Sequence, residues 1–321
     1  MKENGSGASS ISVPEASAAR KDKVLIAIPT FRRPAGLRNV LRAIEKLETQ
    51  ADIRIVVADN EGRGAGTSVV TELKPAFRFP LTVIPVPERG LTYVRNAMVD
   101  YARGLEELDY VAMIDDDERP SPHWVDALIG MQKRTGCDIV GGPTVPVFTA
   151  DAPGWARQCH LFTSGSFPDG VIDMTWGTCN VLVHRRVLEL SPAKLFDPMF
   201  NASGGEDVDA FMRLKRLGCR IAWAGSAVVW DDIPAHRTTL KWITRRAFRI
   251  GNSNMAAQRR WVGRMNNWFG ALVLAVVRIV LHSLLLIFYS LSSERRLDQY
   301  CNWLRSLGGL AFLLNIRFSE Y

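Results

Sequence analysis

Residues 111–118 read Val111-Ala112-Met113-Ile114-Asp115-Asp116-Asp117-Glu118. Four apolar residues in succession make a short buried strand, and the turn chemistry of Glu118-Arg119-Pro120-Ser121-Pro122 ends it. Three adjacent carboxylates, with a fourth behind them, therefore stand just beyond the carboxyl end of a strand. In an open α/β sheet that edge is where ligands bind. Negative charge at this density repels itself unless a cation is gathered with it. A solvated acidic turn is the alternative, and the buried strand in front of the triplet argues against it.

Outward from this strand, residues 23–145 alternate between strand-like and helix-like segments, the pattern of a mostly parallel central sheet covered by helices. Strands are expected at 23–28, 53–58, 81–84 and 110–114, with a fifth beginning at 138–140. Helices are expected at 35–47, with apolar Leu37, Val40, Leu41, Ile44 and Leu47 on one face, and at 91–103. No GxGxxG or Walker loop follows any of these strands, so neither a dinucleotide nor a P-loop fold is signalled. The first strand end carries Pro29-Thr30-Phe31-Arg32-Arg33-Pro34 and the second Asp59-Asn60-Glu61. An arginine in a loop is usually a solvated charge, and Asp-Asn usually a turn. With the acidic triplet at a third strand end, the same groups make a pocket suited to a polar, phosphate-bearing ligand.

The chain has 321 residues, 47% of them apolar, which suffices for one large domain or two smaller ones. Its five cysteines form no CxxC pair, which points to a reduced compartment, cytoplasm by default, and against a zinc site. Residues 1–22 hold no apolar core of signal length and read as a disordered lead-in. The net charge of +7 is concentrated: residues 237–296 hold eleven basic side chains against the single acid Glu294. Within them the apolar run 268–289 is long enough to span a bilayer, but Arg278 and His282, one turn apart, interrupt its centre. A helix lying in the headgroup region fits that interruption better than a simple span. Residues 297–318 repeat the theme with Trp303, Leu304, Leu307 and Leu310 interleaved with Arg305 and Arg317. The apolar content between the arginines favours anionic lipid over nucleic acid, and a helical subdomain packed on the core remains the alternative. Three parts result: the lead-in 1–22, a domain over 23–236, and a basic amphipathic helical, membrane-associating region over 237–321.

The motifs 28–33, 57–60, Glu88-Arg89-Gly90 with Arg95-Asn96, Ile114 to Pro120, and Gly204-Gly205-Glu206-Asp207 follow one another in an order that resembles the family 2 glycosyltransferases. Within the family the pattern is most similar to the succinoglycan and exopolysaccharide glucosyltransferases, over about residues 23–250. The resemblance implies a GT-A fold, a nucleotide-sugar donor and inversion at the anomeric carbon. By it, Pro29, Thr30 and Arg32 belong to the donor-side loop and Asp59 holds the base or ribose. Arg95 belongs to the donor site, Asp115 contacts the nucleotide sugar, and Asp117 ligates a divalent cation on the diphosphate. Asp116 lies among these donor residues without a defined role. Mn²⁺ and Mg²⁺ both suit hard oxygen ligands, and either would neutralise a departing diphosphate.

Inversion by single displacement needs a carboxylate to take the acceptor's proton. Asp207 is the choice, with Glu206 orienting the acceptor and Asp209 solvated. Acids at a helix start also serve as plain charge complements to the dipole. Many family members carry a metal-binding histidine after the next strand, but here Asp231 stands in Val228-Val229-Trp230-Asp231-Asp232, with His236 as runner-up. The Gln-x-x-Arg-Trp motif of processive synthases is absent; Arg246 or Arg249 occupies its approximate place as a diphosphate contact. Residues 141–180 would build the acceptor side, with Trp176 stacking on a sugar and Asn180 in a Gly-x-x-Asn segment. Trp155 and Trp223 are not ranked against Trp176. The expected activity is addition of one hexose, glucose in β linkage by analogy, from a UDP-sugar to a lipid-linked oligosaccharide. The expected place is the cytoplasmic face of a bacterial inner membrane, peripheral or monotopic. A soluble or protein acceptor, and a non-catalytic nucleotide-sugar binding protein, are the alternatives.

Overall fold

Strand β1 (Lys23–Thr30) buries seven of its eight residues, as a strand covered on both faces must. In the computed structural model, which describes residues 20–62, 64–163, 165, 167–175, 177–190, 194–261 and 267–318, the alternation along β1 divides its side chains between two cores. Val24, Ile26 and Ile28 face one cluster and Leu25 and Ala27 the other. The apolar run that leads into the acidic triplet is divided the same way. Within and just after β4 (Tyr110–Met113), Tyr110, Ala112 and Ile114 join the first cluster, and Val111 and Met113 the second.

Helices α1 (Pro34–Glu45), α2 (Ala65–Leu73) and α4 (Trp124–Thr135) supply apolar residues to the first cluster, and α3 (Leu91–Arg103) and α7 (Glu206–Arg216) to the second. With β2 (Asp52–Asp59), β3 (Leu81–Pro85), β6 (Ile139–Gly141), β8 (Gly170–Ile172), β9 (Val181–His184) and β10 (Ile221–Trp223), the large sheet runs β3-β2-β1-β4-β9-β6-β10-β8. The pairs β3–β2, β2–β1, β1–β4 and β6–β10 are parallel, while β9 is antiparallel to both its neighbours and β8 antiparallel to β10. The register sets Thr30 opposite Asp59 and Asp59 opposite Pro85, so three strands end on one line.

A second sheet, which the sequence pattern does not signal, is built from β5 (Glu118–Pro120), β7 (Thr144–Phe148) and β11 (Val229–Ile233) in the order β5-β11-β7. Its register puts Asp231 opposite Glu118. That pairing carries residues more than a hundred positions apart to the acidic triplet. Two short α-helices among the described residues are α5 (Gly154–Arg157) and α6 (Arg185–Leu190).

Three long helices follow: α8 (Leu240–Trp261), α9 (Trp268–Phe288) and α10 (Ser293–Leu313). Helix α10 packs against both α8 and α9. A Cβ on Gly251 would meet the Arg305 carbonyl and one on Gly308 the Phe248 carbonyl, so two glycines permit the backbones of α8 and α10 to touch. Helix α9 buries Ala271 and Ala275 but leaves Phe269, Val277, Leu284 and Phe288 exposed. Its 21 residues make it long and apolar enough to cross a membrane, at about 31 Å by the 1.5 Å rise per residue. His282 Nδ1 lies 2.9 Å from Gln299 Oε1 on α10, so this polar residue of α9 is engaged inside the helical hairpin. Of the expected lead-in, residues 1–19 lie outside the described residues; Arg20 pairs with Asp109, and Asp22 accepts from Lys133 at 2.7 Å.

Candidate active site

Beyond β4 the four acids alternate. Asp115 and Asp117 are half-exposed, whereas Asp116 and Glu118 are buried. The ends of the triplet are thus the ones open to solvent, and the other two acids face inward. Asp116 serves the structure: its Oδ2 accepts from Thr30 Oγ1 at 2.8 Å and its Oδ1 from Arg33 Nη1 at 3.1 Å. Burial pushes its carboxyl up to about 6 against the pull of Arg33 and Thr30. Thr30, expected to face the donor, is engaged in this tie and is itself buried. Glu118 Oε2 accepts from the Asp115 backbone N–H at 3.0 Å, and burial, then the charge of Asp115, raises its carboxyl well above the usual range.

Of the arginine pair after β1, Arg33 turns inward and reaches Asp117 Oδ2 at 2.7 Å. Arg32, the residue expected at the donor, adopts φ 55° and turns outward to Glu61 Oε1 at 2.8 Å. Adjacent residues on a turn point apart, and nothing in a doublet says which faces the cleft. Arg237, which the sequence gives no reason to single out, approaches Asp117 Oδ2 at 3.2 Å from the far side. Pro29 lies within β1, one residue before its end.

Asp59 is fully buried. Its Oδ2 accepts from Gly64 N, Thr67 N and Thr67 Oγ1 at 3.1, 2.7 and 2.8 Å, and its Oδ1 from Glu61 N at 3.1 Å. As placed, this carboxylate organises the loop entering α2 and presents no oxygen to a base or ribose.

Beside the triplet, Arg95 on α3 is 5% exposed, pairs with Glu206 and lies 3.7 Å from Asp115 Oδ1. Burial pulls the guanidinium down, but Glu206, Asp115 and Asp207 outweigh it and hold the charge in place. Burial also pushes Glu206 up to about 7 despite Arg95. Glu206 is therefore an internal partner of Arg95, 2% exposed, and not a group open to an acceptor. Asp207 is half-exposed in the first turn of α7, its Oδ1 accepting from Val208 N at 2.8 Å. Positive φ at Gly204 (71°) and Gly205 (91°) forms the turn ahead of it, and Ser253 of α8 would lie 2.8 Å from a Cβ on Gly205. Asp209, expected to be solvated, is 1% exposed; its Oδ1 accepts from Trp261 Nε1 at 2.6 Å and lies 3.1 Å from Arg260 Nη1. The far end of α8 thus clamps the helix that presents Asp207.

The acceptor-side expectations fare differently. Trp176 lies outside the described residues. Asn180 is 1% exposed at φ 54°, accepts from Trp124 Nε1 at 2.7 Å and donates to Pro143 O and Ala227 O at 2.9 and 2.7 Å. Its amide is consumed inside the protein, joining α4 to the two sheets, and does not line the cleft. Its neighbour Cys179 stands in the field of the acids: burial, then Glu118, Asp115 and Asp207, raise its thiol well above the ordinary value and keep it neutral. Trp223 is core, and Trp155 packs on a cluster with Phe162 and Ile243. Arg246 and Arg249 line a cavity that none of the strand-end acids touches.

A divalent cation is tested by the donors present. Asp231 Oδ1 is buried without a hydrogen-bond partner, and burial, then Asp117, pushes this carboxyl up to about 7. An orphaned oxygen facing like charges is chemistry that a cation relieves. Asp115, Asp117 and Asp231 offer the hard oxygens that Mg²⁺ or Mn²⁺ takes. Among the described residues, however, no three His, Cys, Asp or Glu side chains converge as a ready ligand set, and arginines occupy Asp117.

Comparison with known proteins defines the class. The family model for glycosyl transferase family 2 matches residues 25–189, and that for glycosyl transferase family group 2 matches residues 110–318. The chain belongs to the family 2 glycosyltransferases and is an enzyme of that family. It is similar to the succinoglycan biosynthesis protein ExoM of Rhizobium meliloti (strain 1021), with 31% identity covering 71% of this chain and 73% of that one. The glucosyl-dolichyl phosphate glucuronosyltransferase of Haloferax volcanii is 28% identical over 51% of this chain and 55% of its own. The structure of S. aureus TarS 1-349 superposes with a TM-score of 0.51 at 13% identity, covering 89% of this chain and 91% of that one, a likeness of fold.

Proposed function

We propose that the protein moves one hexose, with inversion, from a UDP-sugar to a lipid-linked oligosaccharide in the synthesis of a bacterial exopolysaccharide or surface glycan. Glucose in β linkage is the sugar that the similarity to a succinoglycan biosynthesis protein favours. A lipid-linked acceptor is supported by the relative whose name specifies glucosyl-dolichyl phosphate and by the exposed apolar face of α9. That face suits residues 237–321 to the cytoplasmic surface of the membrane as a basic, helical attachment.

The observation that carries the reading is the isolation of Asp207. Its neighbours Glu206 and Asp209 are buried and engaged, while Asp207 alone of the three is open, at the mouth of a turn, in the field of Arg95. Asp207 takes the acceptor's hydroxyl proton as that oxygen attacks the anomeric carbon and the bond to the UDP oxygen breaks on the opposite face. Arg33 and Arg237 meet the charge on the leaving diphosphate. Arg95 holds Asp115 in position against the donor, and Asp117, Asp115 and Asp231 would hold a divalent cation. When bound, that cation supplies Lewis-acid neutralisation of the diphosphate.

The test is Asp207→Asn. Loss of a positioned general base costs about 10²–10⁴ in turnover, so transfer from UDP-glucose to lipid extract should fall by that factor with UDP binding retained. Turnover within about tenfold of the parent, less than that range allows, would remove Asp207 from the role.

A further inference from the structure

A cavity of about 280 Å³ lies along the first half of α8. Among the described residues that line it, His236, Lys241, Arg245, Arg246 and Arg249 are cationic or can become so, and none of those described is acidic. The guanidinium of Arg246 lies over Trp242 at 5.8 Å and that of Arg245 over Phe318 at 5.9 Å. Aromatic faces hold these two cations, and among the ion pairs of the described residues none joins a carboxylate to Lys241, Arg245 or Arg246. Cations set close together, as Lys241, Arg245 and Arg246 are along this helix, repel one another and favour an anion between them. Arginine forks with a lysine point charge are the donor set for phosphate oxygens. The volume is below the roughly 300–1,000 Å³ of pockets that enclose whole organic ligands, which suits one charged group better than an entire sugar nucleotide.

The cavity's position joins it to the active site without merging the two. His236 adjoins Arg237, which reaches Asp117, and Arg249 lies against Gly204 in the turn before Asp207. None of Thr30, Asp59, Asp115, Asp117 or Asp207 lines it. Its Phe318 wall is tied to α8 through Asn252, which accepts from Phe318 N at 3.1 Å and donates to Ile316 O at 2.9 Å. A few residues earlier Leu313 O accepts from Trp268 Nε1 at 3.1 Å, where the exposed apolar helix α9 begins. A charged pocket beside the catalytic turn therefore adjoins the start of an apolar surface.

We propose that this cavity is a diphosphate subsite holding the diphosphate of the lipid-linked acceptor, separate from the strand-end site of the sugar nucleotide. The proposal rests on the lipid-linked acceptor reading above. Isothermal titration calorimetry on the full-length chain tests it with inorganic pyrophosphate, geranyl diphosphate and UDP as probes. Lys241 and Arg245 are exposed positions on α8, so Lys241→Gln, Arg245→Gln and the double substitution leave the fold standing. Pyrophosphate should bind in the presence of saturating UDP, geranyl diphosphate more tightly. The double substitution should weaken both at least about tenfold, a loss expected from removing charge-assisted hydrogen bonds, and leave UDP affinity unchanged. Pyrophosphate affinity unmoved by the double substitution would overturn the subsite. Displacement of pyrophosphate by UDP, with UDP weakened by the same substitutions, would assign the cavity to the donor instead. Geranyl diphosphate binding no better than pyrophosphate would remove the lipid. Failure of the parent chain to bind UDP would count against the transferase mechanism, and the pyrophosphate arm would still decide the cavity.

Discussion

Replacing Arg95 by methionine would expose the energetics of the active-site floor. Arg95 and Glu206 are 5% and 2% exposed, and the pair bridges α3 and α7, which share one face of the large sheet. A buried pair contributes little net stability against an apolar replacement, but removing one partner strands the other, at a cost of about 3–5 kcal/mol. At about 2 °C per kcal/mol for a chain of this size, the melting temperature should fall by about 6–10 °C. The loss should depend on pH. Burial raises Glu206 to about 7 in the fold from an ordinary value near 4.5, so the folded protein binds the extra proton between those limits. The group's stabilising contribution is complete below the lower value and disappears as pH rises through the upper one. Without Arg95 the folded value climbs further, so the stranded carboxyl is neutral and well tolerated at pH 5.5 but costly at pH 8. Differential scanning fluorimetry at both pH values should show the larger deficit at pH 8, and Arg95→Met/Glu206→Met should recover most of it. An equal deficit at both pH values, or a double variant no better than the single, would refute the account of a charge stranded by burial.

Other expectations concern separate parts of the site. Asp117→Ala should weaken UDP-sugar binding measured with Mn²⁺ present and leave metal-free binding nearly unchanged; unchanged Mn²⁺-dependent affinity would remove Asp117 from the ligand set. Asn180→Ala should cost about 1–3 kcal/mol for each buried group left unsatisfied, and a urea midpoint equal to the parent's would contradict its place between Trp124, Pro143 and Ala227. Trp261→Phe should lower kcat while leaving the affinity for UDP intact, because it removes one of the two ties on Asp209 and leaves Arg260 alone to hold α7; a parent-like kcat would show that the Trp261 tie does not position Asp207.

The alternating elements of residues 23–145 were legible in the sequence because strands with two buried faces must be apolar throughout, and helices such as α1 must repeat their apolar residues at helical spacing. The acidic triplet was legible for the same reason, since charge abutting such a strand has little room for an innocent explanation. The inward or outward sense of each acid was not. Asp116 and Asp59 carry the same formal charge as Asp117, yet Thr30 ties the first inside the fold, and the loop entering α2 consumes the second. Glu206 reads as an acceptor contact until Arg95, 111 positions earlier, is seen to hold it. Asn180 sits in a loop that resembles a substrate segment, and only its contact with Trp124 shows it to be internal.

Local sequence patterns were enough to specify the family, the α/β architecture and the strand that presents the triplet, and they nominated Asp207 for the base role proposed above. Each of these is written in stretches a few residues long: apolar runs, helical spacing, a glycine pair before two acids. Which of the polar residues are open to chemistry was settled by the tertiary fold. Hydrogen bonds such as Asp116 to Thr30, and pairings such as Asp231 opposite Glu118, join positions far apart in the chain. They exist only once the two sheets and α8 have come together. Burial then divides identical carboxylates into those that hold the fold and those left free to act.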